Sequence, residues 1–137
     1  MELSDIFPKL SEQIINLKME EMNKLSFSDV NYSLLQYIFT IGATEDLTFS
    51  DLADRMHITK PAVTASANKL IEKGLATKKR SGEDRRLYYL SLTDKGREVY
   101  NVSKSANKRF EELIRERLSK EEVDELTRLL AEIVKLA

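Results

Sequence analysis

The stretch TFSDLADRMHITKPAVTASANKLIEKGLATKKRSGEDRRLYYLSLT, residues 48–93, constrains this chain more than any other part of it. It opens on Thr48 with Asp51 three residues later. A hydroxyl there accepts an orphan backbone N–H and starts a brief helix, FSDLADRM, with Leu52, Ala53 and Met56 turned inward. Only His57, Ile58 and Thr59 separate it from a second start. Thr59 is placed to cap a helix whose first turn holds Pro61, where no intrahelical N–H is lost. That helix, KPAVTASANKLIEK, carries Val63, Ala67, Leu70 and Ile71 on one stripe and stops at Gly74, the C′ position. Two short helices with a three-residue break have the spacing of a helix-turn-helix.

The residues beyond Gly74 narrow the possibilities. They run LATKKR, a turn SGED, and RRLYYLSLT, in which Tyr88, Leu90 and Leu92 alternate on one face. The pattern predicts an antiparallel hairpin with Tyr88, Leu90 and Leu92 in the core and a basic outgoing strand. A basic hairpin directly after a helix-turn-helix is the layout of a winged helix.

The flanks are helical. Apolar residues at Leu3, Ile6, Phe7, Leu10, Ile14 and Leu17 recur at the 3–4 spacing of an amphipathic helix, with Pro8 marking a first-turn boundary or a kink. Ser26 or Ser28, with Asp29 behind, is placed to cap a second helix carrying Val30, Leu34, Leu35, Ile38 and Phe39 and ending near Gly42. Thr93 starts a long helix with Val99, Val102, Ala106, Phe110 and Leu113 inward. Ser119 and Glu122 form a capping box for a last helix bearing Val123, Leu126, Leu130 and Ile133. A small winged helix has little surface on which to bury these terminal stripes, so they predict pairing with a second copy. The expected fold is mainly α with a small antiparallel β-hairpin wing. It is one structural domain, with a winged helix-turn-helix over 26–99 and dimerisation helices over 1–25 and 100–137.

Net charge is −1 over 137 residues, yet residues 57–97 hold ten basic side chains against four acidic ones. A basic middle in an acidic frame points to an anion-binding face. The chain has no cysteine, which excludes a disulfide framework, a thiolate metal site and a thiol switch. Its single histidine, His57, falls at a turn that tolerates positive φ and is expected to be structural. Glu83 and Asp84 are neighbours on a turn, which does not make a catalytic dyad. No nucleophile–base pair, phosphate loop or metal-ligand spacing is present, so neither enzymatic activity nor a cofactor is expected. The N-terminus lacks the basic and apolar regions of a signal peptide, and no run approaches the ~18 apolar residues of a membrane span. Both features predict a cytoplasmic protein without membrane contact.

The major groove of B-DNA admits a helix whose N-terminal side chains reach base edges. The candidate recognition residues are Thr59, Lys60, Pro61, Ala62, Thr64, Ala65, Ser66, Asn68 and Lys69. In the wing, Lys78, Lys79 and Arg80 suit phosphates, which supply affinity rather than sequence choice. Arg85 and Arg86, at the tip and on the return strand, suit the negative potential of a narrow minor groove. Asp84 is expected to orient an arginine fork by charge-assisted hydrogen bonds.

With these residues in place, the chain resembles the MarR family of transcriptional regulators. EKGLA, DRR and LSLTDKG carry the most specific part of the likeness, and Asp84 and Arg86 fall on the family's Asp-x-Arg wing motif. The resemblance implies an obligate homodimer on a pseudo-palindromic double-stranded operator. It also implies repression relieved by a small phenolic or lipophilic effector bound between the dimer helices and the winged helix. Tyr32, Tyr37, Phe39 and Phe110 are aromatic candidates for that crevice, although their spacing is equally that of core, and none is assigned. Ala65 and Ser66 stand where many relatives carry a basic and a bulky apolar residue. The alternative to a DNA-binding regulator is a winged-helix interaction module whose basic face meets an acidic protein.

Overall fold

The computed structural model describes residues 1–25, 30–44 and 46–136. Helix α1 spans Leu3–Asn23 and α2 Tyr32–Ala43. A two-residue strand β1, Leu47–Thr48, leads into α3, Phe49–Met56, and α4, Lys60–Glu72. Strands β2, Ala76–Arg80, and β3, Tyr88–Leu92, form the hairpin. Helices α5, Asp94–Arg117, and α6, Lys120–Leu136, complete the order. The fold is mainly α with a small antiparallel sheet, as the sequence pattern predicts.

Most helix starts arise from local chemistry. Thr48 Oγ1 accepts from Asp51 N at 3.0 Å while Thr48 N donates to the Asp51 carboxylate at 3.2 Å, a reciprocal capping box. Thr59 Oγ1 accepts from Ala62 N, Thr93 Oγ1 from Gly96 N, and Ser119 Oγ from Glu122 N. His57 ends α3 in the left-handed region at φ 54°. Gly74 ends α4 at φ 72°, its N–H donating to Ile71 O and the Leu75 N–H to Leu70 O. Those two bonds are a Schellman closure, which needs a residue free to adopt positive φ.

Three expectations need correction. The cap of α2 is Asn31, whose Oδ1 accepts from Leu34 N at 2.9 Å. Ser26, Ser28 and Asp29 lie outside the described residues, and Val30 precedes the helix. Pro8 sits inside α1, which begins five residues earlier, so the first-turn boundary is ruled out and only the alternative of a proline within the helix remains. The sheet has three strands in the order β1-β3-β2 rather than two, with Leu47 opposite Leu90 and Thr48 opposite Tyr89. A two-residue strand leaves no alternation to read in sequence; it exists because β3 offers it an edge.

The core gathers where α2, α3, α4, β3 and α5 meet. Leu35, Ile38, Leu52, Val63, Ala67, Leu70, Leu75, Leu90 and Val99 are fully buried. The terminal helices differ. Leu3 and Phe7 of α1 and Leu130 and Ile133 of α6 are 66%, 55%, 50% and 59% exposed. Leu113 of α5, expected inward, is also exposed, and Phe110 is only half-buried. Their stripes have the helical period, yet among the described residues these positions remain exposed or only half-buried. Among the described residues, no helix is long and apolar enough to cross a membrane.

Candidate nucleic-acid interface

The second helix of the helix-turn-helix is held by its buried face and presents the opposite one. Val63, Ala67 and Leu70 are fully buried. Thr59, Lys60, Pro61, Ala62, Thr64, Ala65, Asn68 and Lys69 are exposed, and Ser66 is half-buried. Thr59 is occupied as the cap. The Thr64 hydroxyl donates to Lys60 O at 3.0 Å, leaving its lone pairs as acceptors toward solvent.

The wing is built from its register. Lys78 pairs with Leu90, Lys79 with Tyr89 and Arg80 with Tyr88. Side chains directly opposite in an antiparallel ladder share a face. Lys78, Arg80, Tyr88 and Leu90 therefore lie on one side and Lys79 and Tyr89 on the other. The three basic residues that adjacency in sequence groups together are thus divided by the pleat. The face carrying Lys78 begins in the core, where Leu90 is fully buried, and leaves it toward the tip.

Tyr88 belongs to that emerging part. It is half-buried and not part of the core, whereas Leu92, also half-buried, packs against the core as expected. Its hydroxyl accepts from Arg80 Nη2 at 2.7 Å and from Nε at 3.2 Å. The Lys78 ammonium lies 4.3 Å from the centre of its ring and 5.8 Å from that of Phe49. The guanidinium beside the hydroxyl holds the phenol below its ordinary pKa, through the hydrogen bond and then through charge.

The tip is ordered by two short polar side chains. Ser81 is buried, and its Oγ accepts from the N–H groups of Glu83 and Asp84 at 3.2 and 3.1 Å. Asp84 opens a turn closed by Leu87 N donating to Asp84 O at 3.0 Å, so Arg85 and Arg86 stand at its corners rather than on the return strand. The Asp84 carboxylate accepts from Arg86 N at 3.0 Å, and from Arg86 Nε and Nη2 at 3.2 Å each. Hydrogen bonds from the Arg86 side chain, then from its backbone, lower the pKa of Asp84. Asp84 thus bonds an arginine fork, as its place in the sequence predicts. The Arg86 side chain remains 90% exposed while so held.

Recognition helix and wing meet across a groove of about 290 Å³ lined by Thr64 of α4, Lys78, Arg86 and Tyr88 of the wing, and Phe49 and Ser50 of α3. Two cations, Lys78 and Arg86, facing one groove suit a phosphate-bearing ligand. Lys79 stands apart from it. Tyr88 and Ser81 were missed as site residues by sequence reasoning. The first was readable as the residue opposite Arg80 had the register been known, and the second carried no signal.

Among the described residues no group of three or more His, Asp or Glu side chains is placed to hold a metal. A second, larger groove of about 610 Å³ lies among α1, α5 and α6, with Leu10, Leu17, Phe110, Leu113, Leu126 and Leu130 in its walls. Of the aromatic candidates, Tyr37 is buried, Tyr32 and Phe39 pack against the core, and only Phe110 lines this groove.

Similarity to known proteins agrees with this geometry. A model of the MarR family matches residues 28–87. The Bacillus subtilis helix-turn-helix regulator YdgJ is 31% identical over 121 residues, covering 85% of this chain and 71% of YdgJ. This chain belongs to the MarR family. Its members are transcriptional regulators, not enzymes. The homoprotocatechuate degradative operon repressor of Escherichia coli is 28% identical over 96 residues, 70% of this chain and 65% of that protein. The fold match extends beyond the segment that the family model covers. Streptococcus pneumoniae FabT, solved in complex with DNA, superposes with a TM-score of 0.79 at 30% identity, covering 98% of this chain and 96% of FabT.

Proposed function

We propose that the protein is a homodimeric, sequence-specific regulator that binds double-stranded operator DNA and acts as a repressor. Residues 26–99 form the DNA-binding unit, and residues 1–25 and 100–137 form the dimerisation region. In a C2 dimer the two α4 helices enter successive major grooves about 34–36 Å apart, which requires a pseudo-palindromic site. Thr59, Lys60, Pro61, Ala62, Thr64, Ala65, Ser66, Asn68 and Lys69 supply the helix surface. Lys78 and Arg80, on one face of the ladder, meet phosphates, Lys79 on the other face makes a weaker phosphate contact, and Arg85 with the Asp84-held Arg86 reaches a flanking minor groove. The observation that carries this reading is the convergence of Thr64, Lys78 and Arg86 on one groove between α4 and the wing.

Dimerisation is supported by the exposed apolar faces of α1 and α6. The repressor role is supported by relatives named as repressors. A small phenolic or lipophilic effector relieves repression by binding better to a dimer whose α4 spacing mismatches DNA. No residue is assigned to that effector.

Selection of bound genomic fragments, with a salt titration on the selected duplex, tests the reading. Neutralising about six to eight phosphates gives log K against log salt a slope of about −5 to −7. A flat response, or no selected duplex, refutes DNA binding and leaves the acidic-protein partner. Repetition with phenolic ligands tests the effector: unchanged binding throughout counts against it.

A further inference from the structure

We infer that Tyr88 is a positioning residue for DNA binding: it holds the Lys78 ammonium and the Arg80 guanidinium in place before any ligand arrives. The inference rests on the DNA-binding reading and adds to it a residue on no contact surface identified from sequence.

Three features of the hairpin converge on Tyr88. Its register puts it directly opposite Arg80 and diagonal to Lys78 on one face of the β2–β3 ladder. Its hydroxyl takes two hydrogen bonds from Arg80, at 2.7 and 3.2 Å, so the guanidinium is bound by its edge. Its ring lies 4.3 Å from the Lys78 ammonium and 5.3 Å from the Arg80 guanidinium carbon. One aromatic side chain therefore restrains two long cations, and all three leave the core on the face that carries the groove beside Thr64.

The physical consequence is entropic. Lysine and arginine hold many rotamers in solution and must give them up to engage a phosphate. An aromatic surface that already confines them removes part of that loss at the moment of binding. Cation–π attraction favours the confined state without consuming the charge, because it neutralises nothing. An acid in the same position would also order the cations, but it would repel the phosphate. The fixed phenol orders them while the hydrogen-bonding edge not facing Tyr88 remains available to a ligand.

Such a role separates experimentally from a direct contact. Each lost phosphate contact lowers the salt slope by about one. Losing the platform instead weakens binding at every salt concentration and leaves the slope unchanged, since the same cations reach the same phosphates. Tyr88→Leu is expected to lower affinity for the selected duplex about three- to tenfold with the slope retained. Tyr88→Phe, which keeps the ring beside Lys78 and frees Arg80, should fall between Tyr88→Leu and the natural protein. In a Lys78→Ala, Arg80→Ala background Tyr88→Leu should have no further effect, because nothing remains for it to position.

Undiminished binding by the Tyr88→Leu variant overturns the inference. So does an equal loss from Tyr88→Leu in the double-alanine background, which would mean that Tyr88 touches DNA or merely supports the sheet. Failure of the natural protein to bind any duplex overturns the DNA-binding reading itself, and the positioning role for DNA falls with it. In the free protein, proton NMR should show the Lys78 ε-methylene displaced upfield by the Tyr88 ring in the natural chain and in Tyr88→Phe. Ordinary shifts there would show that no platform exists and overturn the inference independently of DNA.

Discussion

Replacing Gly96 with alanine sets two physical effects against each other with opposite signs. Gly96 is the third residue of α5, and alanine is favoured over glycine inside a helix by up to about 1 kcal/mol. Propensity alone therefore predicts a more stable protein. The tertiary structure predicts the reverse. A Cβ on Gly96 would fall well inside the contact distance of the Leu75 carbonyl oxygen, 3.0 Å from the Leu75 carbonyl carbon and 3.3 Å from Cβ of Leu92. Leu75 comes directly after the closure of α4, and its carbonyl is backbone that no rotamer change moves aside. The first turn of α5 would have to withdraw, straining the bonds from Thr93 Oγ1 to Gly74 O at 2.6 Å and from Thr93 N to Leu75 O at 3.1 Å. Two hydrogen bonds at about 1 kcal/mol each, with overpacking strain of about 1–3 kcal/mol, outweigh the propensity gain. The expected net loss is about 2–4 kcal/mol. Urea unfolding at one fixed protein concentration reads it as a midpoint lowered by about 1–2 M at unchanged slope. A midpoint equal to or above that of the natural protein refutes the close-approach argument.

The wing and the terminal helices carry further expectations. The Asp84 carboxyl is held below its ordinary value of 3.8, so the charged fork is favoured above that value and is lost as pH falls through the lowered one. Carbon NMR of Asp84 should show a midpoint below 3.8, and a midpoint at or above it refutes the fork. Asp84→Ala should weaken DNA binding severalfold although it removes a negative charge; tighter binding would leave simple repulsion as the role of Asp84. Lys78→Ala should lower affinity for all duplexes alike and reduce the salt slope by about one, whereas Lys79→Ala, on the opposite face of the ladder, should cost less. Equal losses would contradict the division of the two lysines by the pleat. Ile133→Glu places a charge on the exposed stripe of α6 and should convert a dimer to monomer in light scattering, and a dimer retained at the same concentration refutes that face as the interface.

The helix starts at Thr48, Thr59, Thr93 and Ser119 were legible because a cap and its target amide lie three residues apart. The Gly74 stop and the positive φ of His57 were legible for a related reason, since each is a conformational demand on one residue. The start of α2 was not. Several cap formers crowd the run SFSDVN, and the choice of Asn31 depends on where α2 packs, with Leu35 and Ile38 fully buried. The strand β1 was invisible because its two residues acquire partners more than forty positions away.

The candidate site divides along the same line. Local pattern placed the recognition residues on a capped helix and the basic residues on a hairpin, and the Asp84–Arg86 bond spans only two positions. Which basic residues share a face depends on strand register, which a turn of uncertain length does not specify. Register put Lys78 with Arg80 and Tyr88 and turned Lys79 away, and it carried Tyr88 past the end of the core that period-two alternation had assigned to it. The sequence by itself determined most of the helices and their caps, the hairpin and the local excess of basic charge, because these arise from interactions between near neighbours; α2's cap and β1 did not follow from it. Only the tertiary structure decided which cations face α4, which aromatic holds them, and which apolar stripes a single chain leaves uncovered, because each of these depends on distant segments meeting in one register.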